Sequence, residues 1–194
     1  MLYSVIEYPS NNSNNLQSTL SFSYLHNNQG IEQSLKLNIK SAISEFNSAT
    51  QMDPSFSLGY ANLATLSLYN QDPNTALKWI EKADTINPNN SVHLLIKAQA
   101  YWILDQPFNA TEIIEQILEL TPNNENALLL KGDILYKENK IEQAFKYWNL
   151  ASSSGKFIFW THKRFDYLLN NPLEQYNLSF TYNENFNNII KKLV

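Results

Sequence analysis

Small and bulky apolar residues recur along the middle of the chain at a fixed spacing of 34 residues. In the three blocks that start at Ser57, Ser91 and Glu125, the eighth residue is small and the twenty-fourth is bulky and apolar. The small residues are Ala64, Ala98 and Gly132, and the bulky ones are Ile80, Ile114 and Trp148. Small side chains let two helices approach closely, and bulky ones fill the space between them. The pattern therefore predicts consecutive antiparallel helix pairs, one in each block.

Prolines separate these blocks at the same spacing. Pro54, Pro88 and Pro122 each follow a polar residue and precede a new apolar helix pattern. Because a residue before proline is pushed out of the helical region, each proline marks the end of a helix. Asp72-Pro73 and Gln106-Pro107 have the polar residue and the proline that favour a helix start. The second helix of each pair is thus predicted to begin near residues 73, 107 and 140.

One further helix pair is predicted upstream of Pro54. Its second helix is in phase with the other blocks at three positions: Ala42, Phe46 and Ala49. Leu16, Leu20 and Tyr24 share one helical face and are followed by Asn27-Asn28-Gln29-Gly30. We therefore expect a first helix over about residues 15 to 26 and a long second helix that starts near Ile31.

The recurring residues resemble the tetratricopeptide repeat (TPR) family, whose 34-residue unit is a helix hairpin. This resemblance implies an all-α fold, a right-handed α-solenoid of about four TPR hairpins with a C-terminal helical cap. The repeats are expected near 15–56, 57–90, 91–124 and 125–155, in a solenoid over 15–155. Lys97 and Lys131 depart from the family pattern, because they occupy a position where leucine is usual.

The two ends of the chain differ from the repeats. Residues 1–14 are expected to be an extended segment or the remnant of a larger domain, with Leu2 to Tyr8 forming a short strand or lying on the first helices. Residues 156–194 are rich in aromatic side chains and are expected to form capping helices. Such a cap would cover the apolar face that the last repeat of a solenoid leaves open.

Composition and motifs exclude several classes of function. The chain has 194 residues, no cysteine and a net charge of −4, so disulfides, thiolate metal sites and a strongly basic nucleic-acid surface are not expected. His26, His93 and His162 lack metal-site spacing and are expected at the surface or at capping positions. His162-Lys163-Arg164 is a small basic cluster, and three residues are a weak basis for phosphate binding. We predict no cofactor, no metal, no membrane span and no enzymatic activity.

The resemblance also implies where a partner binds. In TPR proteins the first helix of each hairpin lines a concave groove, which suits a peptide or protein segment held by apolar side chains. Twelve residues of this chain occupy the corresponding positions: Leu58, Ala61, Thr65, Leu68, Val92, Leu95, Gln99, Trp102, Asn126, Leu129, Asp133 and Tyr136. Gln99, Asn126 and Asp133 are expected to hydrogen-bond the main chain of the peptide.

A carboxylate clamp of the co-chaperone type is not expected in this groove. It would need basic residues where the chain has Val92, Ile96, Asn126 and Leu130, and Asn62 alone matches it. The chain's own tail is an alternative occupant of the groove.

A narrower resemblance connects Ile31 to Ala64 with the C-terminal TPR region of bacterial winged-helix regulators of the ToxR/CadC and HilA type. It implies the regulatory half of a transcription regulator. A secretion chaperone of the type III kind and a small-ligand sensor are the alternatives. The expected partner is a protein or peptide, with no direct nucleic-acid contact, and a homodimer stays open. The cytoplasm is the favoured compartment, and the periplasm applies if the chain belongs to a membrane-bound regulator.

Overall fold

The structure is a computed structural model that describes the backbone of residues 16–152 and side chains from residue 22 onward. Within this range it has eight helices, which are α1 (Leu16–Leu35), α2 (Ile39–Met52), α3 (Ser57–Tyr69), α4 (Pro73–Ile86), α5 (Ser91–Ile103), α6 (Pro107–Leu120), α7 (Glu125–Lys137) and α8 (Ile141–Ser152). The predicted N-terminal strand and the C-terminal capping helices lie outside the described residues. The chain divides into two compact units, Met1–Ala110 and Thr111–Val194, with the boundary inside α6.

The predicted starts of the second helices are confirmed. Helices α4, α6 and α8 begin at Pro73, Pro107 and Ile141. At the start of α4, the Asp72 carboxylate accepts a hydrogen bond of 3.1 Å from the backbone N–H of Thr75. Hydrogen bonds from Thr75 also lower the pKa of the Asp72 carboxyl, because they stabilise its charged form. The prolines at 54, 88 and 122 all lie in connections between helix pairs, as the spacing predicts.

The expected break before Ile31 is wrong. Helix α1 continues through Gly30 to Leu35, and α2 begins only at Ile39. Gly30 lies 34 residues before Ala64, so it occupies the same small-residue position as in the later repeats. A Cβ atom added there would lie 2.6 Å from Cε1 of Phe46. Gly30 is therefore a site of close contact between α1 and α2, and not a helix terminator.

The turn inside each helix pair has the same backbone geometry. Four residues spaced 34 apart have left-handed φ angles of 58° to 62°, and none is glycine: Leu37, Gln71, Asp105 and Asn139. In the first turn, the N–H of Leu37 donates to the Ser34 carbonyl (3.0 Å) and that of Asn38 to the Gln33 carbonyl (2.9 Å). These two bonds are the Schellman pattern, which satisfies the last carbonyls of a helix. The repeat is therefore visible in the backbone as well as in the side chains.

The core of the first unit joins successive helices. Phe46 and Ala42 of α2 pack with Leu63 and Leu66 of α3, and Trp79 of α4 packs at the edge of this cluster. A second cluster joins α3, α4 and α5, and its buried members are Ala61, Ala64, Leu68, Ala76, Ile80, Ala83, Ile96 and Ala100. Burial of these side chains at about 25 cal/mol per Å² holds neighbouring hairpins together.

The second unit has its own core between α7 and α8. Trp148 is 2% exposed and packs beside Phe145, with ring centroids 5.7 Å apart. The other buried members are Leu128, Leu129, Leu135, Ile141, Ala144 and Ala151. A Cβ atom at Gly132 would overlap the Trp148 indole, so this glycine makes room for the larger ring. The α7–α8 hairpin thus uses the same position as Gly30 for the same purpose.

Candidate functional site

The twelve residues predicted to line a groove all lie on α3, α5 and α7, the first helices of their hairpins. The structure divides them by burial into two groups. Four are buried in the packed core and offer almost no surface to a ligand: Ala61, Leu68, Leu95 and Leu129. Ala61 and Leu68 belong to the cluster that joins α3 to α4 and α5, and Leu129 belongs to the α7–α8 core. Ala61, Leu68 and Leu129 thus contribute to contacts between helices, and Leu95 is also buried, so the exposed part of the candidate site lies on the other eight residues.

Eight residues keep half-buried side chains. In the first unit these are Leu58, Thr65, Val92, Gln99 and Trp102. We call these five residues the A-helix surface, because each lies on the first helix (helix A) of its hairpin. In the second unit they are Asn126, Asp133 and Tyr136. The two groups lie in different units, so we treat the A-helix surface by itself.

Two residues of the second unit have roles inside their own hairpin. Asp133 accepts a hydrogen bond of 3.0 Å from Nε1 of Trp148, so its carboxylate is committed to the core indole. The ring of Tyr136 lies 5.7 Å from that of Trp148. Each carboxylate oxygen has two lone pairs, so the availability of Asp133 to a peptide main chain stays a prediction.

The A-helix surface carries very little charge. Helix α3, with the sequence SLGYANLATLSLY, contains no acidic or basic side chain. Helix α5, SVHLLIKAQAYWI, contains only Lys97 and the buried His93. The Thr65 hydroxyl donates to the Ala61 carbonyl at 3.0 Å, so its outward side can accept but has no free proton. The surface is thus suited to uncharged side chains of a partner.

The first hairpin contributes residues that the sequence interpretation missed. Because α1 runs in phase to Leu35, Asn27 occupies the position equivalent to Ala61 and is 1% exposed. Its Oδ1 accepts a hydrogen bond of 2.7 Å from Nδ2 of Asn62, which is 3% exposed. The 34-residue spacing, extended back to Gly30, would have revealed this position. Asn62, the one residue that matched a carboxylate clamp, is therefore committed to a buried contact between α1 and α3.

His93 was expected at the surface or at a capping position, and the surface alternative is wrong. It is 2% exposed, and its Nδ1 lies 3.3 Å from Oδ1 of Asp84, across the connection between α4 and α5. Burial lowers the pKa of His93, and the Asp84 carboxylate and the Asn87 backbone oppose that shift only in part. His93 thus belongs to the contact between two hairpins. His26 is half-buried and its Nδ1 lies 2.7 Å from the Glu45 carboxylate, whereas His162 and its basic neighbours lie outside the described residues.

Lys131, which stands where leucine is usual, is 8% exposed and forms an ion pair with Glu115. Both residues belong to the second unit. Across residues 16–152, no three His, Cys, Asp or Glu side chains lie close enough together to bind one metal ion. None of the described helices is both long enough and apolar enough to cross a membrane.

Comparison with known proteins agrees with this geometry. The tetratricopeptide repeat family model matches residues 59–90, which span α3 and α4. The PilW type IV pilus biogenesis factor aligns with a TM-score of 0.63 at 18% identity, over 70% of this chain and 63% of PilW. The Arabidopsis OM64 TPR domain aligns with a TM-score of 0.57 at 19% identity, over 60% of this chain and 96% of that domain. The fold is that of a TPR protein.

Within residues 16–152, the predicted all-α fold of consecutive TPR hairpins is therefore confirmed. A further TPR neighbour is the first TPR domain of Spaghetti (RPAP3) bound to the HSP90 peptide SRMEEVD, with a TM-score of 0.54 and 17% identity over 66% of this chain and 93% of that domain. Human protein O-mannosyl-transferase TMTC3 is 27% identical over 134 residues, which is 58% of this chain and 15% of the relative. The chain thus spans only a small part of that curated relative.

Proposed function

We propose that this TPR chain is a non-enzymatic interaction module that binds a largely uncharged, apolar segment of a partner protein on its A-helix surface. The observation that carries the proposal is the chemistry of α3 and α5. They present half-buried Leu58, Val92 and Trp102 beside Thr65 and Gln99, with Lys97 as the only charged side chain besides buried His93. Apolar and aromatic anchors surrounded by neutral polar groups are typical of peptide-binding surfaces.

The peptides bound by other TPR domains support peptide binding by this chain and help to define which peptides it should select. The RPAP3 domains were solved with the HSP peptides SRMEEVD and SGPTIEEVD, which are acidic. An acidic C-terminus needs cationic side chains as partners. At the positions where a carboxylate clamp would have basic residues, this chain has Val92 and Ile96. Asn62 is committed to Asn27. We therefore expect this chain to select an apolar segment and to reject an acidic C-terminus.

Peptide selection with the full-length chain tests the proposal. A displayed library of random twelve-residue peptides should yield sequences rich in aromatic and aliphatic residues, and the synthetic peptide SRMEEVD should not compete with them. Gln99→Glu adds a charge to the A-helix surface and should weaken the selected peptides about tenfold or more, because a charge would be desolvated without a partner. Asn74→Glu, an exposed position at the start of α4, is the matched control and should leave affinity unchanged.

Equal binding by the wild type and Gln99→Glu, with the fold checked by circular dichroism, would contradict the proposal. Tight binding of SRMEEVD would contradict its selectivity. A role as the regulatory half of a transcription regulator is a further hypothesis. The sequences of the selected peptides would identify candidate partners for testing it.

A further inference from the structure

Exposed apolar side chains follow one edge of the first unit. Helices α1, α3 and α5 each end in a large, exposed apolar residue: Leu35 (74% exposed), Tyr69 (60%) and Ile103 (39%). These residues stand 34 apart, so they occupy the same place in three consecutive repeats. Their helices are neighbours, because Asn62 of α3 hydrogen-bonds α1, and α3 and α5 share one core cluster. The three side chains therefore form a row along the turns inside the hairpins.

Two further apolar residues lie at the ends of this row. Leu37, in the first turn, is 69% exposed, and Phe108, at the start of α6, is 79% exposed. We call these two residues and the three helix ends the turn edge. Leu37 has a left-handed φ of 60°, at a position where the next two turns have Gln71 and Asp105. Aspartate and asparagine tolerate this conformation better than leucine does, and an exposed leucine held in it indicates a contact outside the chain.

The turn edge offers enough apolar surface for a dimer. A monomeric protein rarely leaves a contiguous apolar patch larger than about 600 Å² uncovered. Five side chains of this size and exposure present roughly 600 Å² per copy, so two copies would bury about 1,200 Å². That area is the lower limit for a stable, specific interface. A second copy of the chain is thus a partner of sufficient size.

The charges along the turn edge favour two copies that run in opposite directions. At the first turn, Glu32 is paired with Lys36, and the exposed Lys40 adds a positive charge. Around the third turn, residues 101–110 contain a single charged side chain, that of the exposed Asp105. In a two-fold symmetric contact of this kind, the first turn of each copy meets the third turn of the other. Opposite charges then face each other twice.

We propose that the chain forms a two-fold symmetric dimer through the turn edge, with the apolar residues of the first turn against those of the third. Tyr69 then lies near the axis, beside its own copy. Asp72, in the middle turn, also faces its own copy, and this repulsion limits the affinity. The turn edge shares no residue with the A-helix surface, so the dimer does not depend on the proposed function.

Sedimentation equilibrium of the full-length chain over a range of concentrations tests this proposal. The wild type should show a monomer–dimer equilibrium with a dissociation constant of about micromolar order, because the interface is small. Tyr69→Lys should weaken the association about tenfold or more, because two like charges would meet near the axis without partners. Met52→Lys is the matched control, since Met52 is an exposed apolar residue at the end of α2, on the opposite edge, and it should leave association unchanged.

Three milder substitutions test the arrangement of the two copies. Asp105→Asn keeps a side chain that suits the turn and should weaken the dimer about two- to tenfold, because each exposed ion pair occurs twice. Asp72→Asn keeps a residue that caps α4 well and should strengthen the dimer by a similar factor. Leu37→Gly should weaken the dimer although it relieves backbone strain in the monomer. Circular dichroism checks the fold of each variant.

The outcomes separate this proposal from the proposed function. Gln99→Glu should leave association unchanged, and Tyr69→Lys should leave binding of the selected apolar peptides unchanged. A wild type that stays monomeric up to about 1 mM would overturn the dimer. Equal effects of Tyr69→Lys and Met52→Lys, or a loss of affinity for Asp72→Asn as large as that for Asp105→Asn, would overturn it as well.

Discussion

The α3–α4 and α7–α8 hairpins fill the same repeat positions in two different ways. In α3–α4, Ala64 stands 16 residues before Ile80, and both are fully buried. In α7–α8, Gly132 stands 16 residues before Trp148, and the indole occupies the space that a Cβ atom would need. A larger residue on the second helix is thus matched by a smaller one on the first. The smaller first residue thus offsets part of the volume that the larger second residue adds.

The first hairpin follows the same rule, since Gly30 faces the Phe46 ring. Volume-conserving exchanges are the ones a close-packed core tolerates best. Each pair therefore acts as a unit, and a substitution at one member changes the packing of the other.

The largest effect is expected from breaking one of these pairs. Gly132→Ala gains about 1 kcal/mol of helix propensity. It should nevertheless lower the free energy of unfolding, because relieving the overlap with Trp148 costs about 1–3 kcal/mol or more. Urea denaturation followed by far-ultraviolet circular dichroism measures the change.

A double-mutant cycle sharpens this prediction. Gly132→Ala combined with Trp148→Ile recreates the Ala64–Ile80 pair, so the double variant should be more stable than the sum of the single changes predicts. Ala64→Gly in α3 is the matched reverse change and should lose about 1 kcal/mol through propensity and about 0.8 kcal/mol more through the missing buried methyl group. Additive effects of Gly132→Ala and Trp148→Ile would show that volume matching does not couple the two positions.

The second largest effect on stability is expected where α7 has a charged residue at the repeat position that α3 fills with an apolar one. Leu63 and Lys131 are 68 residues apart, two repeat lengths, and both are buried. Glu115→Gln removes the partner of Lys131 and should cost more than the about 1 kcal/mol of an exposed pair and less than the 3–5 kcal/mol of a fully buried one. Lys131→Leu copies Leu63 and should be neutral or stabilising in the same denaturation assay. A clear loss for Lys131→Leu would mean that the ion pair contributes net stability.

Two equivalent contacts between successive hairpins differ in whether they contain titratable groups, so they should differ in how the pH affects stability. Asp84 and His93 stand 34 residues after Thr50 and Gly59, so a titratable pair replaces a neutral one. Burial lowers the pKa of His93, so below its ordinary value of about 6.5 the unfolded chain accepts a proton that the folded chain resists. The free energy of unfolding should therefore fall as the pH drops through that window.

His93→Gln isolates this effect from the carboxylates that also titrate in acid. The difference in stability between the wild type and His93→Gln should change with pH below about 6.5 in favour of the variant. A difference that stays constant across the window would mean that His93 is protonated equally in both states.

The smallest effect is expected in the turns. Leu37 is 69% exposed and has a φ of 60°, whereas the equivalent residues of the later turns are Gln71, Asp105 and Asn139. A non-glycine residue in the left-handed region costs about 1–2 kcal/mol. Glycine removes this cost but loses about 0.5–1 kcal/mol, because its unfolded chain has more conformational entropy. Leu37→Gly should therefore raise the thermal midpoint slightly, and Leu35→Gly, at the last residue of α1, should lower it.

The sequence predicted the repeat, the prolines in the connections between helix pairs and the starts of α4 and α6, because these features depend on local spacing and capping. It failed at Gly30, where Asn27-Asn28-Gln29-Gly30 has the composition of a turn and yet contacts between α1 and α2 keep the helix intact. Local propensity is overridden there by packing.

The candidate site was predictable only in part. The helices and faces of its residues follow from the repeat, but burial of Ala61, Leu68 and Leu95 depends on how successive hairpins pack, which no single-helix pattern contains. The same holds for His93, whose partner Asp84 lies nine residues away on the preceding helix. Contacts between hairpins are the information that the sequence interpretation lacked.

Nuclear magnetic resonance mapping of a selected apolar peptide tests the proposed function most directly. On titration of the full-length chain, backbone shifts are expected to concentrate on α3 and α5 around Leu58, Thr65, Gln99 and Trp102, with α2 and α4 unaffected. Shifts centred on α4 around Lys78 and Lys82, or outside the first unit altogether, would contradict the assignment of the A-helix surface.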